Sequence, residues 1–146
     1  MAVQTPRERW SRLGAMAFAW LFAAGVVIQV FLAGLALFDT AARWGDHSSF
    51  GMMIGVLLLP VIVLVPLGRA GRKAIGMTAV LLVLFIVQVS LPTIDAGWIA
   101  ALHPLVAFAL LGISEQLGSH LRSLAMAPDR ATSRDEGVPG TSLHHG

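Results

Sequence analysis

Cysteine is absent from the chain, which removes disulfides, thiolate metal sites, iron–sulfur clusters and cysteine nucleophiles together. Charge is scarce as well: 12% of the 146 residues are Asp, Glu, Lys or Arg, against 56% hydrophobic residues and a mean hydropathy of +0.77. That composition excludes an ordinary soluble globule and belongs to a membrane protein whose first partner is the lipid bilayer. Ten basic residues, gathered beside apolar runs, do not make a nucleic-acid surface. A Gly-rich phosphate loop, a Ser–His–Asp set and a carboxylate pair are all missing, so no residue is assigned a catalytic role.

What is present is four long apolar runs. Helices are expected over about 13–38, 48–67, 74–92 and 97–118, each long enough to cross a hydrocarbon core of about 30 Å. They are framed by a polar N-terminal segment, 1–12, and by a Pro-, Gly- and Ser-rich tail, 122–146, expected to be disordered. The first run is too long for the apolar region of a cleaved signal, so it reads as a retained helix. Pro60 and Pro66 interrupt the second run, where a missing backbone donor kinks a helix.

Nine of the ten lysines and arginines lie in the N-terminal segment, the turn between helices two and three, or the tail; only Arg43 lies on the other side. The positive-inside rule places both termini in the cytoplasm of a bacterial cell, with Asp39, Asp46, Asp95, Trp44 and Trp98 facing outward. Short connections make consecutive helices antiparallel neighbours, so the expected fold is an all-α, up-down-up-down, four-helix membrane bundle.

One pattern occurs twice. Gln29 near the end of the first run is followed by a loop with Trp44 and then by His47; Gln88 is followed by a loop with Trp98 and then by His103. The bundle reads as two pseudo-repeated hairpins related by an axis along the membrane normal. Polar side chains inside a bilayer are costly and mark sites or fasteners. Gln29 and Gln88 lie at similar depth, roughly 9 to 13 Å inside their outer helix ends. As fasteners they hydrogen-bond neighbouring helices; as site residues they line a cofactor cavity.

His103 precedes Pro104 about a turn and a half inside helix four, and His47 opens helix two, with Asp46 or a serine expected to cap it. Helices two and four both descend from the outer face, so the two imidazoles reach similar height, the arrangement of a bis-histidine haem. Gly51 and Gly55 share a face with His47, and Ala107 with His103, which leaves room either for a macrocycle or for close helix packing. Glu115, near the cytoplasmic end of helix four, is expected to snorkel or to pair with His120 or Arg122, and His144 and His145 in the tail lack further ligands.

These residues carry a resemblance. The chain looks like one four-helix half of the haem A synthase family, in which histidines on the second and fourth helices of a half flank a haem near the outer side. It also resembles a family of small uncharacterised bacterial four-helix membrane proteins, through Phe-Leu-Ala-Gly at 31–34, His47, Gln88 and Leu102-His103-Pro104. Haem A synthases have two halves, often a cysteine pair, and acidic outer-loop residues. With one half and no cysteine, this chain inherits from the resemblance a fold and a haem pocket and no enzyme activity.

Three readings stay open on the sequence. The first is a bundle binding haem b through His47 and His103, with Gly51, Gln29 and Gln88 lining the pocket, for electron transfer or redox sensing. The second is a small subunit, without cofactor, of a larger membrane complex or homo-oligomer, docking through a lipid-facing stripe of Ala15, Ala19, Ala23, Ala24 and Gly25. The third is a carrier or channel with Gln29, Gln88 and His103 as its polar path.

Overall fold

The computed structural model describes residues 4–127, all of them in helices and short connections. Four segments are long and apolar enough to cross a membrane: Pro6–Phe38, Ala41–Leu67, Gly71–Thr93 and Gly97–Ala125. They pack as an antiparallel four-helix bundle, and the chain is a multi-pass membrane protein by this architecture. The expected tail lies outside the described residues from 128 onward, together with His144 and His145.

The first span is one unbroken helix, α1 (Pro6–Phe38). It starts seven residues before the apolar run does, because Thr5-Pro6-Arg7-Glu8 is a capping box. The Thr5 hydroxyl accepts from the Glu8 amide at 3.3 Å and the Glu8 carboxylate accepts from the Thr5 amide at 3.0 Å, with Pro6 at the first helical position. Helix α1 stops at Phe38. A single 3-10 turn (Ala41–Arg43), capped by the Thr40 hydroxyl, then feeds directly into α2 (Trp44–Gly55). No side chain caps α2; Asp46 sits in its first turn and pairs instead with Arg43.

The second span is broken where proline demands it. Pro60 has no amide to give the carbonyl of Val56, and the helix slips to 3-10 bonding there, with Leu59 donating to that carbonyl at 3.1 Å before α3 (Leu58–Leu67) continues. The same physics shapes the fourth span. Pro104 ends the short α5 (Gly97–Ala100) and seeds α6 (His103–Ala125) at its first turn. His103 therefore opens a helix after a break, where the sequence pattern placed it well inside one. The third span is α4 (Gly71–Ser90), followed by a 3-10 turn (Leu91–Thr93).

Helix α1 is the central packing element, touching α2, α3 and α6, while α4 lies against α3 and α6. Its small-residue stripe is not the lipid-facing dock expected of it. Ala15 and Ala19 are completely buried and Ala23 and Gly25 nearly so, and only Ala24 looks outward. The reason is close approach. A side chain at Gly25 would meet Ile54 at 2.9 Å, and the Trp20 indole of α1 occupies the space a side chain at Gly118 of α6 would need. The core around these contacts is apolar, with Phe22, Val61, Leu81, Leu117 and Leu121 wholly enclosed.

At the basic end, Arg12 ties three helices together. Its guanidinium donates to the carbonyls of Gly68 at 2.7 Å, Leu124 at 3.0 Å and Arg69 at 3.4 Å, satisfying groups that helix C-termini leave unpaired. Arg69 there adopts a left-handed conformation (φ 45°), and Gly71 follows at φ 82°. Arg43, the single basic residue at the opposite end, is neutralised by Asp39 at 2.8 Å and Asp46 at 3.8 Å. Glu115 forms no ion pair with His120 or Arg122 among the described residues.

Candidate functional site: a glutamine–histidine layer

Each of the four spans contributes one polar side chain to a single layer near the Trp44 and Trp98 end: Gln29, His47, Gln88 and His103. All four are half-buried. The Nδ1–H of His47 donates to the backbone carbonyl of Gln29 at 3.1 Å, and the Nδ1–H of His103 to the backbone carbonyl of Gln88 at 3.0 Å. The two hairpins thus repeat the same bond, histidine of the descending helix to glutamine carbonyl of the ascending one.

The second of these bonds has a local cause. In a helix the carbonyl of Gln88 would receive the amide of residue 92, which is Pro92 and has none. Helix α4 ends at Ser90 with Leu91 donating to Val87, and the orphaned carbonyl is satisfied across the helix boundary by His103. Gln29 lies in the continuous α1 and is followed four residues later by Ala33, so His47 takes the second lone pair of a carbonyl that already serves its helix.

With both Nδ1 atoms donating to carbonyls, both neutral imidazoles present a lone pair at Nε2. The two rings meet across the diagonal of the bundle, centroids 6.0 Å apart and planes at 59°. Trp44 packs its edge on His47 at 5.6 Å. The lone pairs are treated differently. The Gln88 side-chain amide donates to His103 Nε2 at 3.0 Å, whereas the Gln29 amide lies against Gly51, in the space a side chain there would need, and His47 Nε2 has no hydrogen-bond partner among the described residues. The amide oxygens of both glutamines are buried without a donor.

Below the layer the bundle closes. Phe85 fills the space beside Gly55 and stacks edge-on against Phe22 at 6.1 Å. The glycines that share a face with His47 therefore receive Gln29 and Phe85. An apolar groove of about 340 Å³ opens sideways between α1 and α6, lined by Val27, Val30, Phe31, Ala107 and Phe108, the alanine lying one turn from His103. No cluster of three or more His, Asp or Glu that could hold a bare metal ion exists among the described residues.

The sequence pattern named all four members of the layer. It missed the role of Pro92, although a proline four residues after Gln88 is a visible sign of a freed carbonyl. It missed Phe85 and Arg12, whose contacts depend on how the helices are rotated.

Residues 29–94 match a family described as a family of unknown function, DUF6220. The matched stretch contains Gln29, His47, Gln88 and Pro92 and stops short of His103. No curated protein and no solved structure matches the chain, and none of these comparisons links it to haem A synthases.

Proposed function

We propose that this chain is a haem b protein of a bacterial cytoplasmic membrane, with His47 and His103 as iron ligands near the outer face and both termini in the cytoplasm. The observation that carries the reading is the pair of facing imidazoles, each held by Nδ1 on a backbone carbonyl. That bond is how proteins orient histidine ligands and raise their basicity; it leaves His47 Nε2 open, whereas His103 Nε2 would have to exchange the Gln88 amide for iron. The rings here stand at 6.0 Å.

The donor set suits haem iron and little else. Two imidazoles without a carboxylate or thiolate make a poor cage for a free divalent ion, and His47 and His103 would be the residues to hold a haem iron. An apolar groove between α1 and α6 lies one turn from His103, although none of the four layer residues lines it. When bound, haem supplies a one-electron redox couple. The chain's contribution is to orient the two imidazoles, to satisfy their second nitrogens and to exclude water with the Phe22–Phe85 floor. The resemblance to one half of a haem A synthase points the same way.

Two other readings are weakened by specific observations. The small-residue stripe that a partner subunit would use is spent inside the bundle. A polar path through the membrane would have to pass the enclosed Phe22, Leu81 and Val61 below the layer.

The test is a reduced-minus-oxidised absorption spectrum of the purified full-length protein, expressed with haem supplementation. Haem bands at near one equivalent are expected, and their absence under those conditions would sink the proposal.

A further inference from the structure

The opposite, basic end of the bundle holds a pocket that takes no part in the glutamine–histidine layer. It has a volume of about 410 Å³ and lies between the start of α1 and the end of α6. Pro6, Arg9 and Trp10 line it from one face of α1, at the spacing i, i+3 and i+4, with Gln4 and Thr5 just before them and Met126 on the opposite wall. The two walls are tied together, because the Leu124 carbonyl accepts from Gln4 Nε2 at 3.5 Å and from Arg12 Nη1 at 3.0 Å.

The charge at this end is in excess. Arg12 is spent on three carbonyls and Arg69 reaches Glu8 at 3.5 Å, whereas Arg7, Arg9, Arg72, Lys73 and Arg122 are exposed and form no ion pair among the described residues. No carboxylate lines the pocket, and Arg9 is its one charged group. The Thr5 hydroxyl accepts from the Glu8 amide and keeps its own proton to donate. Depth matters as much as charge. From Phe38 down to Trp10 the continuous α1 spans about 42 Å at the helical rise, against about 40–45 Å for a bilayer with its headgroups. Trp10, 72% exposed, therefore stands at headgroup level on the basic side, where an indole is favoured.

We infer that this pocket binds the headgroup of one anionic phospholipid, with Arg9 on the phosphate, Gln4 and Thr5 as neutral donors, and Trp10, Pro6 and Met126 against the glycerol and upper acyl region. A lipid fits better than free phosphate because half of the lining is apolar and the only guanidinium in it is open to water, where a small ion is weakly held. A net negative headgroup fits better than a zwitterionic one, since a choline group would meet the surplus cations. The inference does not depend on haem or on which side of the membrane the basic end faces.

The full-length protein, purified in a neutral detergent, is titrated with phosphatidylglycerol, with phosphatidylcholine or with inorganic phosphate, and bound molecules are counted by native mass spectrometry. Phosphatidylglycerol is expected to form a saturable one-to-one complex, and phosphatidylcholine to bind about 5-fold more weakly or less. Arg9→Gln weakens the complex about 5-fold, the effect of one cation at an anionic surface. Arg7→Gln removes the same charge from an exposed position outside the pocket and leaves the complex unchanged. Trp10→Ala, which takes nothing from the core, also weakens it and carries the test if Arg9→Gln fails to fold. Equal losses in Arg7→Gln and Arg9→Gln would show a diffuse charge effect and overturn the site. Equal binding of the two lipids, displacement of the lipid by millimolar phosphate, or no saturable binding to the wild-type chain would overturn it as well.

Discussion

If His103 is held where it is because Pro92 strips a donor from the Gln88 carbonyl, then restoring that donor must make His103 less important to the fold. His103→Ala removes two hydrogen bonds at 3.0 Å, one from its own Nδ1–H to the Gln88 carbonyl and one from the Gln88 amide to its Nε2. Intramembrane hydrogen bonds average about 0.6 kcal/mol and reach about 1.7. Leaving a buried carbonyl without a donor adds a desolvation cost of about 1–3 kcal/mol. The ring is half-buried, so its packing contributes modestly, and the expected total is about 2–3 kcal/mol.

Pro92 is exposed and lies in the 3-10 turn that follows α4, so Pro92→Ala is sterically open there and supplies an amide that reaches the Gln88 carbonyl by one further helical bond. In that background His103→Ala is expected to cost about 1 kcal/mol less than in the wild type. The assay is a double-mutant cycle on the purified protein, unfolded reversibly in mixed micelles by a rising fraction of SDS and followed by tryptophan fluorescence. Mutations that do not interact add to within about 0.5 kcal/mol. Additivity of these two would refute the claim that His103 compensates for Pro92.

Three further outcomes follow from the same packing. Gly55→Ala drives a methyl group into the Phe85 ring, with Cε1 at 2.7 Å, and is expected to cost about 1–3 kcal/mol, partly relieved by Phe85→Leu; Gly112→Ala, which meets nothing within 4 Å, is the control expected to be neutral or slightly stabilising in the same unfolding assay. Arg12→Met is expected to lower stability by about 1–3 kcal/mol by releasing the carbonyls of Gly68, Arg69 and Leu124, and Arg12→Lys recovers less than half of it, because an ammonium cannot span the three acceptors that the planar fork reaches; equal stability of the two variants would show that charge alone matters. Since the chain has no cysteine, single substitutions Asp95→Cys and Arg72→Cys can be labelled in intact cells with a membrane-impermeant maleimide; Asp95→Cys is expected to react and Arg72→Cys only after permeabilisation, and the reverse pattern would invert the proposed orientation.

The polar layer was legible in the sequence to an unusual degree, because a glutamine or histidine in an apolar run stands out whatever the helix's rotation. Its wiring was not. That His47 and His103 each donate to a glutamine backbone depends on a carbonyl's position, which the side-chain pattern does not encode, and only Pro92 left a trace of it. Gly51 and Gly55 show the other limit. Small residues beside a histidine fit a cofactor slot and a tight helix contact equally well, and the structure fills them with Gln29 and Phe85.

Crossing number and alternation of direction are properties of one dimension, set by the length of apolar runs, the prolines between them and the placement of ten basic residues, so the sequence alone determined the four-span bundle. Which face of each helix turns inward was decided only in three dimensions. In water, polarity contrast marks the buried face of a helix. In a bilayer the lipid is as apolar as the core, so the Ala15–Ala19–Ala23 stripe carried no sign of whether it met lipid or protein. Packing against α6 and α2 made that choice, and with it brought the two imidazoles within 6.0 Å of each other.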